Sequence, residues 1–372
     1  MTDPYAIADT SRLFSPALVF FADLIKRNIA RMVEMAGGAA RLRPHVKTHK
    51  SPDVAKLAMA AGITKHKCAT LAEAEMLARC GAEDVLLAYP MVGPNCARFA
   101  KLVQAYPATR FSCLFDHPAG VEALGAATKA AGVVAEAMID LDVGQHRTGI
   151  APGPEAVDLY AQAARTPGLR VVGLHVYDGH NHQESAEERQ QAATAQLAPA
   201  LALRERLRAE GLPAERVVVG GTPTFPMYAR MDVPGLECSP GTLVLHDNGY
   251  GSKFADLTGF MPAALILTRV ISRPTPTRVT FDLGYKAVAS DPPAGKRLRL
   301  LGLPPHETVL QNEEHLVIET AEAGRLKPGD EALAIPQHIC PTVAMHQRAY
   351  VIEGGRFAGT WDITGRDRVL GV

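Results

Sequence analysis

The residues with the most chemistry in them fall at a few points of the chain. The densest group is Arg43-Pro44-His45-Val46-Lys47-Thr48-His49-Lys50, where Lys47 stands among His45, His49, Arg43 and Lys50. Cationic neighbours and removal from water both favour the neutral form of an amine. A neutral lysine amine is what forms a Schiff base with an aldehyde or ketone. The octapeptide alone suits equally a solvated basic strand end that grips an anion. Asp142-Val143-Gly144-Gln145-His146-Arg147-Thr148-Gly149 carries a permanent cation. Arg147 can hold a phenolate oxygen beside a Schiff base, or form an ion pair with Asp140 or Asp142. His175-Val176-Tyr177-Asp178-Gly179-His180-Asn181-His182 puts three histidines and a tyrosine within eight residues. That density suits proton transfer or metal ligation. Val219-Gly220-Gly221-Thr222 and Ser239-Pro240-Gly241-Thr242 pair glycines, which let backbone amides approach an anion, with hydroxyl donors. They suit a phosphate, and they suit plain tight turns. In Pro336-Gln337-His338-Ile339-Cys340-Pro341-Thr342-Val343 an imidazole and a thiol stand two residues apart, on one face if the stretch is a strand. The pair suits zinc, or is a structural pair with no metal.

These stretches need a scaffold. Strand-like runs at 41–47, 64–70, 84–90, 109–116, 133–142, 169–177, 216–220 and 236–246 alternate with helical segments such as Leu71 to Arg79, Pro118 to Ala131 and Glu155 to Arg165. That rhythm predicts an α/β fold, a parallel (β/α)8 barrel. Such barrels present chemistry at the C-terminal strand ends, with phosphates commonly after strands seven and eight. An open doubly wound sheet would need a glycine-rich dinucleotide turn after its first strand, and none is present. An apolar strand at 17–22 precedes a helix capped by Asp23, with Ile25, Ile29 and Met32 on one face. Gln183 to Gly211 reads as a long exterior helix that Pro199 kinks or divides. After residue 250, proline-rich turns and short alternating runs, Arg278 to Asp282 and Leu316 to Glu319 among them, predict a β-domain. The predicted division is a barrel over 15–250 and a β-domain over 251–372 that takes in residues 1–14 and carries the His338 motif.

Composition narrows the classes. Lys+Arg and Asp+Glu both number 39, without the basic surplus of a general nucleic-acid binder. No run of 18 apolar residues exists to span a membrane, and Met1 to Ser11 is polar, without the apolar core of a secretion signal. The six cysteines are scattered without a CxxC, which suits a reducing compartment, the cytoplasm.

Over about residues 15 to 370, these motifs resemble those of the D-threonine aldolase and D-serine dehydratase family. Its members are pyridoxal 5′-phosphate enzymes with an alanine-racemase-like barrel plus a β-domain. Asp282-Leu283-Gly284-Tyr285-Lys286-Ala287 and Asn312-Glu313-Glu314-His315 also match. The resemblance implies that Lys47 carries the cofactor, with His45 beside it. It implies that Arg147 faces the cofactor's phenolate oxygen and that Tyr177 lies beside its ring. Gly220, Gly221, Thr222, Gly241 and Thr242 would cradle its phosphate. It implies a divalent metal, zinc or else manganese or magnesium, at His338 and Cys340, and a homodimer. This chain departs from the family pattern twice. The family's aldolases place a base histidine six residues after the tyrosine, where this chain has Gln183 and offers His180 and His182 nearer. Cys340 matches the dehydratases, which carry cysteine where the aldolases carry aspartate, but the following Pro341-Thr342-Val343 matches the aldolases.

The expected activity is retro-aldol cleavage of a β-hydroxy-D-amino acid of the D-threonine type to glycine and an aldehyde. The alternative is dehydration of D-serine or D-3-hydroxyaspartate to a keto acid and ammonia. A racemase and a non-catalytic cofactor-binding protein are further alternatives. The small-molecule D-amino acid is the one expected partner besides a second copy, with no nucleic acid and no membrane.

Overall fold

A computed structural model describes residues 3–372. Its contacts divide the chain into two compact units. A β unit holds the residues up to Arg31 with Thr48–Val54 and Thr242–Arg366, and a barrel unit holds Met32–Lys47, Ala55–Gly241 and Asp367–Val372.

The first strand, β1 (Ala17–Phe21), belongs to the β unit. The barrel unit is built on seven parallel strands paired in chain order: β2 (Lys65–Cys68), β3 (Asp84–Pro90), β4 (Arg110–Phe115), β5 (Ala135–Leu141), β6 (Leu169–Val176), β7 (Arg216–Val219) and β8 (Leu236–Cys238). Helices cross between them, and the sequence sets their starts. Pro94, Pro118 and Pro154 each occupy a first helical position, where a missing N–H costs nothing. Thr70 accepts from Glu73 N while the Glu73 carboxylate accepts from Ala69 N, a reciprocal cap. The long helix Ala186–Ala209 runs on through Pro199 and is not divided there.

The predicted first barrel strand, 41–47, is not a regular strand. Ala39–Arg41 is a turn of 3-10 helix, and Pro44 has no N–H to give to a ladder. The segment still joins both edges of the sheet. Arg43 N donates to Cys238 O at 2.9 Å and His45 N to Pro240 O at 2.9 Å on one side. On the other, Val46 N donates to Lys67 O at 2.8 Å and Lys67 N to Pro44 O at 2.9 Å. This seam takes the eighth place and closes the expected barrel.

Alternate residues of a strand share a face, so the barrel fills in tiers. Asp84, Glu136 and Arg216, with Arg43, Arg110 and Glu237, form an ionic tier. Arg43 Nη1 lies 2.6 Å from Asp84, Arg43 Nε 2.5 Å from Glu237, and Arg216 Nη1 2.7 Å from Glu136. Two residues further along the strands, Leu86, Met138 and Val218 pack with Leu114 as an apolar tier. Beyond that, at the C-terminal strand ends, Lys67, Asp140 and His175 are buried.

The β unit carries a nine-stranded mixed sheet. Its strands are β1 with β9 (Ala264–Ser272), β10 (Arg278–Phe281), β11 (Leu298–Leu300), β12 (Glu307–Gln311), β13 (Leu316–Glu319), β14 (Glu331–Pro336), β15 (Arg348–Glu353) and β16 (Arg356–Asp362). Although first in the chain, β1 is central. It pairs antiparallel with β9 and parallel with β15, and Leu18, Val19 and Phe20 are wholly buried. No helix among the described residues is long and apolar enough to cross a membrane.

Candidate active site

Lys47 ends the seam and is half-buried. Its own N–H donates to His45 Nδ1 at 3.3 Å, which fixes the turn between them. In the same unit, Tyr177 directly follows β6, and its ring packs against glycines. A Cβ at Gly179 would stand 2.4 Å from the ring, and one at Gly221 3.1 Å from it. The Arg147 guanidinium lies 4.9 Å from the ring centroid. Neither aspartate named as its alternative partner takes it. Asp140 is bound to His175 Nδ1 at 2.7 Å and to the Thr148 hydroxyl at 2.8 Å. Asp142 accepts from Gly144 N and His146 N and holds His146 Nδ1 at 2.7 Å, so it shapes the loop that presents Arg147.

The two glycine turns follow β7 and β8. Gly220 has φ +67, and a Cβ there would press on the Tyr228 ring at 2.7 Å. Tyr228 in turn donates its hydroxyl to buried Asp178 at 2.8 Å. Gly241 N donates to the Thr222 hydroxyl at 3.2 Å, which joins the two turns. The Ser239 hydroxyl is buried and has no hydrogen-bond partner among the described residues. An unsatisfied hydroxyl at this depth costs free energy unless a ligand takes it up.

The candidate bases are differently placed. His180 is half-buried, has Nε2 2.9 Å from Gln196 Nε2, and faces Gly144 of the Arg147 loop. His182 is exposed.

In the β unit, His338 and Cys340 do not lie on a strand. β14 stops at Pro336, His338 caps the short helix Ile339–Met345, and Cys340 lies in its first turn. The pair still meets, because a cap and the second helical residue lie side by side. Asp291 holds His338 Nδ1 at 2.6 Å. Asp247 accepts from Ile339 N at 3.1 Å and fixes the turn between the two side chains. The Thr48 hydroxyl is 3.2 Å from the Cys340 sulfur, and the Thr242 hydroxyl, expected at the phosphate, is 3.6 Å from it. Burial opposes the His338 cation, but the Cys340 thiolate and Asp291 outweigh it and hold the imidazolium up to about 9. Among the described residues no third histidine, cysteine or carboxylate completes a metal cluster.

Sequence reasoning passed over Lys67. A barrel strand reading Lys65-His66-Lys67-Cys68 has no apolar alternation, so one of its lysines must be drawn into the barrel. That was the available signal.

The alanine racemase N-terminal domain model matches residues 22–245, and the putative serine dehydratase domain model matches residues 263–352. The chain is 30% identical over 371 residues to a 3-hydroxy-D-aspartate aldolase of Paracoccus denitrificans (strain Pd 1222), covering 97% of this chain and 94% of that protein. The chain belongs to the D-threonine aldolase and D-serine dehydratase family. Another member, a D-threonine aldolase of Arthrobacter sp, is 28% identical over 376 residues, 98% of this chain and 94% of its own. The crystal structure of D-threonine aldolase from Filomicrobium marinum superposes with a TM-score of 0.88 at 28% identity, over 96% of this chain and 97% of that one. D-threo-3-hydroxyaspartate dehydratase from Delftia sp. HT23 gives 0.83 at 28% identity, over 97% and 98%. The family thus includes named aldolases and dehydratases, both lyases.

Pyridoxal 5′-phosphate, which this family implies, asks for an amine, a cation for its phenolate, a flat neighbour for its ring and an anion cradle. The barrel unit supplies Lys47, Arg147, Tyr177 and the turns at Gly220-Gly221 and Ser239-Pro240-Gly241. The unpartnered Ser239 hydroxyl, between two turns that Gly241 N and Thr222 join, is the specific mark of fit. Gly221→Asp is therefore expected to fold yet bind no cofactor, because it sets an unpaired like charge in the cradle. Cofactor content after dialysis measures it, and full occupancy would reduce these stretches to ordinary turns.

Proposed function

We propose that this chain is a pyridoxal 5′-phosphate-dependent lyase that cleaves a β-hydroxy-D-amino acid of the D-threonine type to glycine and an aldehyde. The observation that carries the reading is the gathering of Lys47, Arg147, Tyr177 and the two glycine turns at the C-terminal strand ends of one barrel. The bound cofactor supplies an electron sink for the bonds of the substrate's α-carbon. The chain's own residues do the rest. Lys47 Nζ anchors the cofactor's aldehyde and carries a proton when released. Arg147 brings a guanidinium beside the Tyr177 ring for the cofactor's phenolate oxygen. The Tyr177 ring, packed against glycines, gives the cofactor ring a rigid neighbour. The turns at Gly220-Gly221 and Ser239-Pro240-Gly241 shape the phosphate's place, and the buried Ser239 hydroxyl is the donor left for it.

Of the two histidines, His180 is the better base for the substrate hydroxyl, because it is half-buried against the Arg147 loop whereas His182 faces solvent. His338 and Cys340 fit a divalent metal as imidazole and thiolate donors, with Asp291 on Nδ1 leaving Nε2 for the ion. Two protein ligands leave coordination positions open, as Lewis-acid chemistry on an oxygen requires. One observation favours a dehydratase instead, the cysteine at 340. A homodimer in a reducing cytoplasmic setting completes the proposal, on the cysteine spacing and the family resemblance.

Product analysis with D-threonine and D-serine, before and after chelation, tests this reading. Glycine with acetaldehyde is expected from D-threonine. Chelation is expected to remove metal by elemental analysis and to stop turnover, while the cofactor's absorbance persists. Ammonia with a keto acid would make the chain a dehydratase, and full activity of metal-free protein would take the metal out of the mechanism.

A further inference from the structure

The Cys340 sulfur has more around it than a bare pair of metal ligands requires. Two threonine hydroxyls reach it within the β unit, Thr48 Oγ1 at 3.2 Å and Thr242 Oγ1 at 3.6 Å. Both threonines are buried, Thr48 wholly so. Their backbones are held in place. Lys50 O, two residues after Thr48, accepts from Gly365 N at 2.9 Å. Thr242 opens a turn of 3-10 helix, Thr242–Val244, and its carbonyl accepts from Leu245 N at 3.1 Å. The backbone around the cysteine is fixed as firmly. Asp247 takes Ile339 N at 3.1 Å. The wholly buried Thr342 hydroxyl donates to His338 O at 2.8 Å and accepts from Ala289 N at 3.0 Å. The sulfur and the two hydroxyls therefore meet as parts of separately anchored segments.

The chemistry of sulfur gives these contacts a direction. A free thiol can donate to a hydroxyl or accept from it. A thiol that ligates a metal is deprotonated outright, and its sulfur then only accepts. A buried hydroxyl beside it donates, because a hydrogen bond left unmade at that depth costs free energy. A thiolate has three lone pairs, enough for one metal and two hydroxyls. Each hydrogen bond spreads the sulfur's charge, so the ligand passes less of it to the ion and leaves the ion a stronger Lewis acid. The same bonds favour thiolate over thiol, and a metal binds a cysteine only by displacing the thiol's proton. Groups that stand behind metal ligands orient and tune them in this way.

We propose that Thr48 and Thr242 are positioning residues of the metal site, whose hydroxyls donate to the Cys340 thiolate, hold it for the ion and temper its charge. The inference rests on the reading of His338 and Cys340 as metal ligands. It moves Thr242 from the phosphate, where the sequence places it, to the sulfur. Thr48 directly follows the proposed cofactor lysine in the chain, so adjacent residues take up separate tasks.

The test uses the full, cofactor-loaded chain and reads the metal, not turnover. Zinc affinity is measured by competition with a chelator. Cobalt(II) is then loaded in place of zinc, because a sulfur–cobalt bond gives a charge-transfer band, and subtracting the zinc form's spectrum removes the cofactor's absorbance. Thr48→Val keeps the branched shape and removes the hydroxyl. It is expected to bind zinc roughly tenfold more weakly at neutral pH, the low end of what such a partner contributes. Its sulfur–cobalt band is expected to move to longer wavelength, since a thiolate relieved of a hydrogen bond gives up an electron more readily. Thr48→Ser, which keeps the hydroxyl, is expected to match wild type in both. Thr242→Val should change both in the same sense but by less, as its hydroxyl stands further off. Wild-type affinity and band in Thr48→Val would overturn the proposal. Weaker zinc binding with an unmoved band would mean that Thr48 only shapes the fold, and would overturn it too, as would a serine variant no better than the valine one. Should Thr48→Val not fold, Thr242→Val decides on the same two readouts. A wild-type chain without a sulfur–cobalt band would sink the metal reading and this inference with it. A wild-type band that neither valine variant moves sinks this inference alone.

Discussion

Lys47→Ala is expected to leave a folded protein with no covalently held cofactor and no turnover. Wild-type protein should absorb near the border of the visible and ultraviolet, and borohydride should bleach that band and fix the cofactor on Lys47. The variant should show neither. The fold should survive, since Lys47 is half-buried and its side chain closes none of the seam's hydrogen bonds. Substitutions of this kind usually shift stability by no more than about 0.5 kcal/mol. Loss of the band with an unchanged melt would therefore report chemistry and not unfolding. The most informative contrary outcome is a reducible adduct on Lys67 in the variant, together with activity. That would transfer the cofactor lysine to β2 and void the assignment.

Arg43→Met should act through stability. Arg43 is wholly buried and bridges two buried carboxylates from strands far apart in the chain, Asp84 on β3 and Glu237 on β8. Removing one member of such a group strands the others. The usual cost of 3–5 kcal/mol should fall near its lower end, about 3 kcal/mol, because Arg110 still reaches Asp84 and Lys65 still reaches Glu237. Acid adds a second readout. Burial alone would raise Asp84, but Arg43, with help from Arg216 and Arg110, outweighs it and holds the carboxyl down to about 2 against an ordinary 3.8. A depressed folded value gives stability that is present above the unfolded value and is lost as pH falls through the folded one. Arg43→Met weakens that depression, so its acid unfolding should begin at a higher pH than the wild type's. Urea melts at neutral pH and an acid titration followed by circular dichroism would check both. A variant as stable as wild type would mean that the ionic tier is replaceable by packing.

Strand–helix alternation made the barrel legible, because each βα unit is local and its helix starts are written in Pro94, Pro118, Pro154 and Thr70. The seam was read as a regular strand, since 41–47 alternates as one does. Pro44 changes its character, because a residue without an N–H can join a sheet edge only by isolated bridges. Arg147, Tyr177 and the glycine turns stood out by residue type, and the structure brings Arg147 onto the Tyr177 ring and joins the two turns. The His338 pair was correctly spaced and wrongly placed, for a cap and its helix put residues two apart as near each other as a strand does. Lys67 was not legible as a site residue. Its meaning depends on His175 and Asp140, which lie more than seventy positions away in the chain and reach it only through the closed barrel.

The seam also orders events in the life of a new chain. From β3 to β8 each strand joins the one before it across a single helical crossover, but the seam joins Leu42 to Cys238 and can do so only once nearly the whole barrel unit exists. Pairings across such separations form late, because the loop must close before the contact rewards it. Lys47 ends that late-closing segment. A chain still on the ribosome owns the amine but lacks the cradle at Gly220, Gly221 and Ser239. On the proposed reading of Lys47 as the cofactor lysine, amine and cradle come together only in a molecule whose barrel unit has finished folding.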